Sequence, residues 1–239
     1  MDAAQDELLS VLILARNEAK NLDELLPHIA ATLTRMSKPF EIIVVDADSP
    51  DGTAAVAARH RARVVPQQAS GYANALRQGF SECTGGFILT LDADFSHRPD
   101  FFEELIRAGD GADIVVASRY VRGGSADMPV TRRLLSTILN RVFALVLGLQ
   151  TRDLSSGFRI YRRSALQMLA PRGDYFDVLP EIVALACVQG LRIHEIPFHY
   201  HPREAGVSKA RVVKFIPSYV RTLLRCWSTR RASSNTGRR

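Results

Sequence analysis

Apolar residues come in short, nearly unbroken runs through the first half of the chain. Each run but the last is followed by a stretch in which they recur every three or four positions. The runs are Val11–Leu14, Glu41–Val45, Arg63–Val65, Phe87–Leu91 and Ile114–Ala117. Cores such as IIVV and IVV, apolar throughout, predict strands buried on both faces of a parallel sheet. Glu18 to about Thr34, DGTAAVAARH, GYANALRQGF and FFEELIRA carry the helical spacing between them. This alternation predicts βαβ units and a doubly wound, Rossmann-like α/β fold, a mostly parallel central sheet flanked by helices. The second half is less regular. Helices are expected over Thr131–Leu147, near Leu179–Gln189 and over Val207–Trp227, with a strand over Arg192–His199. No Pro/Gly/Ser-rich linker divides the chain. One domain over 1–206, an amphipathic helical extension over 207–227 and a disordered basic tail over 228–239 are therefore expected.

Composition narrows the class. With 46% hydrophobic and 23% charged residues in 239, the chain is no disordered polymer and is long enough to bury its own core. Three scattered cysteines, Cys83, Cys187 and Cys226, suggest neither a disulfide framework nor a zinc cluster, and point to a reducing compartment. Acids near the start argue against a secretory signal. The longest greasy stretch, Leu134–Leu147, has 14 residues and includes Asn140 and Arg141; a membrane span needs roughly 20 apolar residues.

The net charge of +6 is unevenly placed. From Arg203 onward ten basic residues face Glu204 alone, while the first 202 residues carry 21 basic and 24 acidic side chains. Such an end suits the phosphates of lipid or nucleic acid. On a helical wheel Val212, Ile216, Tyr219, Val220, Leu223, Leu224 and Trp227 fall on one half, and Arg211, Lys214, Arg221 and Arg225 on the other. A basic amphipathic helix of this kind either lies in a membrane interface or packs its apolar half on protein.

Polar residues cluster where the expected strands end: ARNE, DADSPDG, DADFSH and SRY. Ligands of open α/β sheets bind beyond the carboxyl ends of the strands, so these acids and arginines converge on one rim. Asp92 and Asp94, flanking one residue past a buried strand, suit a hard divalent cation bridging diphosphate oxygens. Asp46 and Asp48 suit ribose hydroxyls or a base N–H, whereas Asp51 in SPDG suits a turn and helix cap. No GxGxxG or GxxxxGK[ST] occurs, which removes dinucleotide and P-loop readings. Arg119, Arg132, Arg133, Arg159, Arg203 and Lys209 form a set suited to anionic substrates. His199 and His201 share one face of a strand and amount to half of a metal site, with no third ligand near them in sequence. No GxSxG is present, and the cysteines have no plausible base beside them.

The ordered motifs ARNEAKNLDELL, VVDADSPDGT, LDADFSHRP, ASRYVRGG, DLSSGFRIYRR and HPREAGVSK, from about Val11 to Lys209, resemble those of family 2 glycosyltransferases. The nearest likeness is to the dolichyl-phosphate or polyprenyl-phosphate mannose synthase branch. The resemblance implies a GT-A fold and inverting transfer of a hexose, mannose or glucose, from a GDP- or UDP-linked donor to a polyprenyl phosphate, with Mg²⁺ or Mn²⁺. It implies nucleotide contacts at Glu18, Asp46, Asp48, Gly71 and Asp92, and a metal held by Asp92, Asp94 and Ser96. Arg119, Arg132 and Arg203 would act with Asp94 in catalysis, and Ser136, Asp153, Ser156, Gly157 and Lys209 would shape the acceptor side. It further implies a peripheral enzyme on the cytoplasmic face of a membrane, with no nucleic-acid partner. The chain departs from the family pattern at Leu14 and Arg16 (usually Pro and Tyr), at Ala47 and Asp48, at Ala73 and at Ser96 (often Gln). An incoming phosphate is mostly dianionic at neutral pH and needs no base, whereas a sugar hydroxyl acceptor would need a carboxylate. Asp177 and Glu181 are the unpaired candidates for that carboxylate. The rival readings are a family 2 enzyme with a non-lipid acceptor and a non-catalytic nucleotide-sugar or nucleic-acid binding module.

Overall fold

The computed structural model describes residues 7–201 and 216–236. Its first half alternates β1 (Leu9–Ala15), α1 (Ala19–Arg35), β2 (Phe40–Asp46), α2 (Thr53–Arg59), β3 (Arg63–Pro66), α3 (Tyr72–Glu82) and β4 (Phe87–Asp92). A 3₁₀ turn, Pro99–Phe101, leads to α4 (Phe102–Ala108) and β5 (Ile114–Ser118). Then come β6 (Ser125–Ala126), α5 (Val130–Leu147), β7 (Arg159–Arg162), α6 (Arg163–Gln167) and α7 (Val178–Val188). The chain finishes with β8 (Ile193–Pro197), β9 (His199–Tyr200) and α8 (Ile216–Thr236). Among the described residues one sheet runs in the order β3-β2-β1-β4-β7-β5-β8, and β6 pairs with β9 apart from it. Only β7 lies antiparallel to its neighbours.

Side chains along a strand point alternately to opposite faces. Leu9, Val11 and Ile13 of β1 join Leu22, Leu25, Ile29 and Leu33 of α1 in one core. Leu12 turns the other way, to Ile43 and Val45 of β2, Leu76 of α3 and Ile182 of α7. Helices cover both faces, so a run without polar interruption is what a central strand requires. Helix α3 sits unusually close to β1: a Cβ added to Gly79 would lie 2.5 Å from Leu12 Cδ1.

Two local features differ from the sequence expectation. Strand β7 lies within DLSSGFRIYRRSAL and wedges between β4 and β5. Its strand character is masked by Arg159, which is fully buried and donates to the Leu154 (2.7 Å) and Leu179 (3.1 Å) carbonyls. The expected strand over Arg192–His199 is split, because β9 leaves the main sheet to pair with β6.

Helix α8 continues to Thr236, through residues read from the sequence as tail, while 207–215 lie outside the described residues. Its orientation is rotated from the expected amphipathic one. Tyr219, Thr222 and Cys226 are buried, whereas Ile216, Val220 (50% exposed), Leu224 (60%) and Trp227 face solvent. The cause is on α7. Glu181 and Asp177, which precedes the helix, are buried carboxylates; leaving such a charge unpaired costs several kcal/mol. Arg225 of α8 meets Glu181 at 2.7 Å, and Thr222 donates to Asp177 at 2.6 Å. Thr222 and Arg225 are drawn inward beside Tyr219, Leu223 and Cys226, whereas Arg221 stays exposed and Ile216, Val220, Leu224 and Trp227 are left outside. Helix α5 also exposes an apolar stripe, from Val130 (80%) through Leu134, Ile138 and Val142 to Leu145 (81%), while Phe143 and Leu147 pack inward. Among the described residues no helix is long and apolar enough to cross a membrane.

Glu181→Ala strands Arg225 and the backbone N–H groups of Arg172 and Gly173, which also donate to this carboxylate. A loss of about 3–5 kcal/mol is expected, read as a lower midpoint in urea unfolding.

Candidate active site

Parallel register sets Ala15 beside Asp46 and Leu14 beside Asp92, which brings the carboxyl ends of β1, β2 and β4 to one level. The loops leaving them, the loop after β3, the 155–157 segment and the inner sides of α5 and α8 enclose a cavity of about 740 Å³. Its lining changes character across that space. Arg16, Glu18, Asp48, Gln67, Gln68, Asp92 and Asp94 come from the strand-end loops, and Leu139, Phe143, Phe176, Leu179 and Tyr219 from the helical side. Tyr72 stacks on Phe176 at 4.5 Å where the two regions meet.

At the polar end, Glu18 lines the cavity and accepts from Asn21 Nδ2 at 2.6 Å. Asp48 lines it from a left-handed backbone conformation, φ 53°. Gly71, also in the lining, has φ 103°, which explains the glycine before α3. Asp46 is placed differently from the expectation. It is buried behind the wall, accepting from the Ser49 hydroxyl (2.6 Å) and backbone N–H (3.2 Å). Asp51 is structural, tying the N–H of Thr53 and of Ala19, the first residue of α1, at 3.1 Å each.

Asp92 and Asp94 both face the cavity, Asp92 partly exposed and Asp94 buried. With oxygen donors only, the pair has the chemistry of a hard divalent site. Ser96 stands behind them, outside the lining, with its hydroxyl and its N–H both donating to Asp94 Oδ1. It braces that carboxylate rather than opening onto the cavity. Phe95 between them has φ 60°, a strained conformation for a bulky residue. His97, which the sequence reading did not single out, accepts the Asp92 N–H on Nδ1 at 2.9 Å and stacks on Phe158. Burial pushes its imidazole below the ordinary pKa despite the neighbouring carboxylates.

On the other side, Arg119 lines the cavity but is held by Asp153 through Nε (2.8 Å) and Nη2 (2.7 Å). Asp153 is fully buried and lies outside the lining; it orients Arg119. Burial raises the Asp153 pKa, but the charge and hydrogen bonds of Arg119 outweigh it and hold the carboxyl below its ordinary value. Arg132 lines the cavity from the first turns of α5 and makes no ion pair among the described residues. Ser136, Ser156 and Gly157 line it as well, joined by Asn140 and Ser155. Arg203 and Lys209 lie outside the described residues. Asp177 and Glu181 do not line the cavity and are occupied by α8.

These features define a GT-A fold with a strand-end acidic site, and comparison with known proteins agrees. Residues 10–169 match the glycosyl transferase family 2 model, and the chain belongs to that family. It is 32% identical to a dolichol-phosphate mannosyltransferase of Pyrococcus furiosus over 91% of this chain and 63% of that protein's length. It is also 32% identical to a polyprenol monophosphomannose synthase of Mycolicibacterium smegmatis, over 83% of this chain and 79% of the relative. The glucosyl-3-phosphoglycerate synthase of Mycobacterium tuberculosis, crystallised with Mn²⁺, UDP-glucose and phosphoglyceric acid, superposes with a TM-score of 0.72. That superposition covers 93% of this chain and 80% of the other, at 20% identity.

Asp153→Asn leaves Arg119 with a neutral partner in a buried setting, and a loss of up to about 3–5 kcal/mol is expected at neutral pH. The folded pKa is depressed, so the wild-type contribution is complete above the unfolded carboxylate pKa of about 3.9 and is lost as pH falls through the lower folded value. Urea unfolding of both proteins between pH 7 and pH 3 should show the gap narrowing with acidification.

Proposed function

We propose that this family 2 glycosyltransferase moves a hexose, mannose or glucose, from a GDP- or UDP-linked donor to a polyprenyl phosphate, working peripherally on the cytoplasmic face of a membrane. The observation that carries this reading is the placement of α5. One side of the helix turns Arg132, Ser136, Leu139 and Phe143 into the cavity, and the other exposes the stripe from Val130 to Leu145. A charged group for a phosphate and an apolar route for a lipid chain therefore share one element. Helix α8 packs against α5 and also exposes apolar side chains, Val220 and Leu224 among them. The named relatives act on dolichol or polyprenol phosphates, which agrees with this reading.

In the proposed reaction a phosphate oxygen of the lipid attacks the anomeric carbon. The bond from that carbon to the donor diphosphate breaks, and the nucleoside diphosphate leaves with its electron pair. The sugar configuration inverts. The attacking phosphate, with a second pKa of about 6, is already ionised at neutral pH, so no side chain has to remove a proton. This fits a cavity from which Asp177 and Glu181 are turned away. Glu18, Asp48 and Gly71 hold the nucleoside side of the donor, with Asp46 supporting the loop that carries Asp48. Asp92 and Asp94 would hold Mg²⁺ or Mn²⁺, which when bound supplies positive charge for the leaving diphosphate. Ser96 and His97 position those two carboxylates. Arg132 receives the incoming phosphate, with Arg203 and Lys209 assigned to the same task by their motif. Arg119, Asp153, Ser136, Ser156 and Gly157 shape the acceptor wall.

Transfer of radiolabelled sugar from GDP-mannose and UDP-glucose, assayed separately with polyprenyl phosphate in detergent, tests the reaction. Asp94→Asn and Arg132→Gln should each lower transfer about 10²–10³-fold while leaving the circular dichroism spectrum unchanged. Full activity in Asp94→Asn would sink the proposal, and turnover on a soluble acceptor without lipid would redirect it. Trp227 is the one tryptophan in the chain and lies on the outer stripe of α8. Its emission should shift to the blue on mixing with anionic vesicles, and Leu224→Asp should reduce that shift. An unshifted spectrum at saturating lipid would remove α8 from the membrane surface.

A further inference from the structure

We propose a second metal site, separate from Asp92 and Asp94, formed by Asp127, His199 and His201 and suited to Zn²⁺ or a similar borderline ion rather than to Mg²⁺. The two histidines were half a site in the sequence; the fold supplies the third ligand from 72 residues earlier in the chain. Strands β6 and β9 pair in parallel with Ser125 opposite His199, and the Asp127 N–H donates to the Tyr200 carbonyl at 3.0 Å. This carries Asp127 to the histidine pair. One ligand atom from each of the three residues lies within 4.8 Å of the others, and His199 Nε2 is 3.0 Å from Asp127 Oδ2.

The chemistry is selective. Two imidazoles and one carboxylate are a common zinc donor set and leave a fourth position for water. Hard ions such as Mg²⁺ prefer oxygen alone. Tetrahedral bonds of about 2.0–2.1 Å set ligand atoms about 3.3 Å apart, a closure that partly exposed side chains reach by small rotations. The outer shell is also present: His199 Nδ1 is hydrogen-bonded to Ser125 Oγ, which fixes the ring and leaves Nε2 directed at Asp127. The site is distinct from the catalytic cavity. Tyr200 lines that cavity, and alternation along the strand turns His199 and His201 to the opposite side. An ion here would fasten the segment entering α5 to the segment that continues toward Arg203. Its direct effect is on stability of that junction, and this inference does not rest on the choice of donor or acceptor.

The full chain, stripped with EDTA and then kept in excess Mg²⁺, is titrated with Zn²⁺ by calorimetry, and Co²⁺ absorption reports the ligand field. One equivalent of Zn²⁺ should bind, equally well in Asp94→Asn. His199→Gln and His201→Gln should abolish that binding, and Ser125→Ala should weaken it about 10–100-fold. Zn²⁺ should raise the melting temperature of wild type but not of His199→Gln. The carboxylate and His199 are substantially solvent-exposed, so these variants should fold, and circular dichroism checks that they do. Absence of Zn²⁺ binding in excess Mg²⁺ would overturn the proposal. Binding that survives in the His199→Gln/His201→Gln double variant, or that is lost in Asp94→Asn, would overturn it equally.

Discussion

Three carboxylates around the helical side of the cavity, Asp153, Asp177 and Glu181, are almost completely removed from solvent. A charge so placed must be met by a donor, because its desolvation is otherwise uncompensated. Two segments meet them: the loop after β5 meets Asp153, and α8 meets Asp177 and Glu181. This requirement assembles that side of the molecule. It orients Arg119 at the cavity wall and sets the rotation of α8, turning Thr222 and Arg225 inward. It also leaves Ile216, Val220, Leu224 and Trp227 outside the core that Tyr219, Leu223 and Cys226 enter.

The cavity is thus built by two different kinds of order. At the strand ends, backbone register does the placing, and short loops need only turn tightly. Asp51, Ser49 and Gly71 serve those turns. On the helical side, position is set by side-chain pairing between elements distant in sequence. The first kind tolerates little variation in geometry, in keeping with the proposed nucleotide-sugar donor. The second produces a wall of mixed aromatic and aliphatic groups beside Arg132, as suits a ligand that is ionic at one end only.

That division also explains what was legible in the sequence. Strands β1, β2, β4 and β5 were readable because burial on both faces leaves an unbroken apolar run, and Asp92 and Asp94 followed from their place beyond such a run. β7 was obscured by Arg159, a cation whose burial depends on carbonyls of Leu154 and Leu179. The orientation of α8 was not readable either, since a helical wheel identifies an apolar half without saying how far a buried acid will rotate it. Asp46 and Asp48 are two residues apart in one acidic string, yet a hydrogen bond to Ser49 sends the first behind the wall and leaves the second on it. Asp127 belongs to no motif and His97 passes unremarked inside LDADFSHRP; the pairing of β6 with β9 and the stacking on Phe158 give them meaning.

The turn at residues 172–174 touches both halves of this arrangement. Glu181 accepts the N–H groups of Arg172 and Gly173 as well as the Arg225 guanidinium. The Gly173 carbonyl accepts from Arg77 of α3, and the Asp174 carbonyl faces Gly71, where α3 begins. Arg221 of α8 pairs with the Asp174 side chain. Substitutions in α8 and in α3 therefore draw on shared partners even though the two helices serve opposite ends of the cavity. Their energetic effects will not sum as those of independent sites do, and a double-mutant cycle between Arg77 and Arg225 measures a coupling rather than a background.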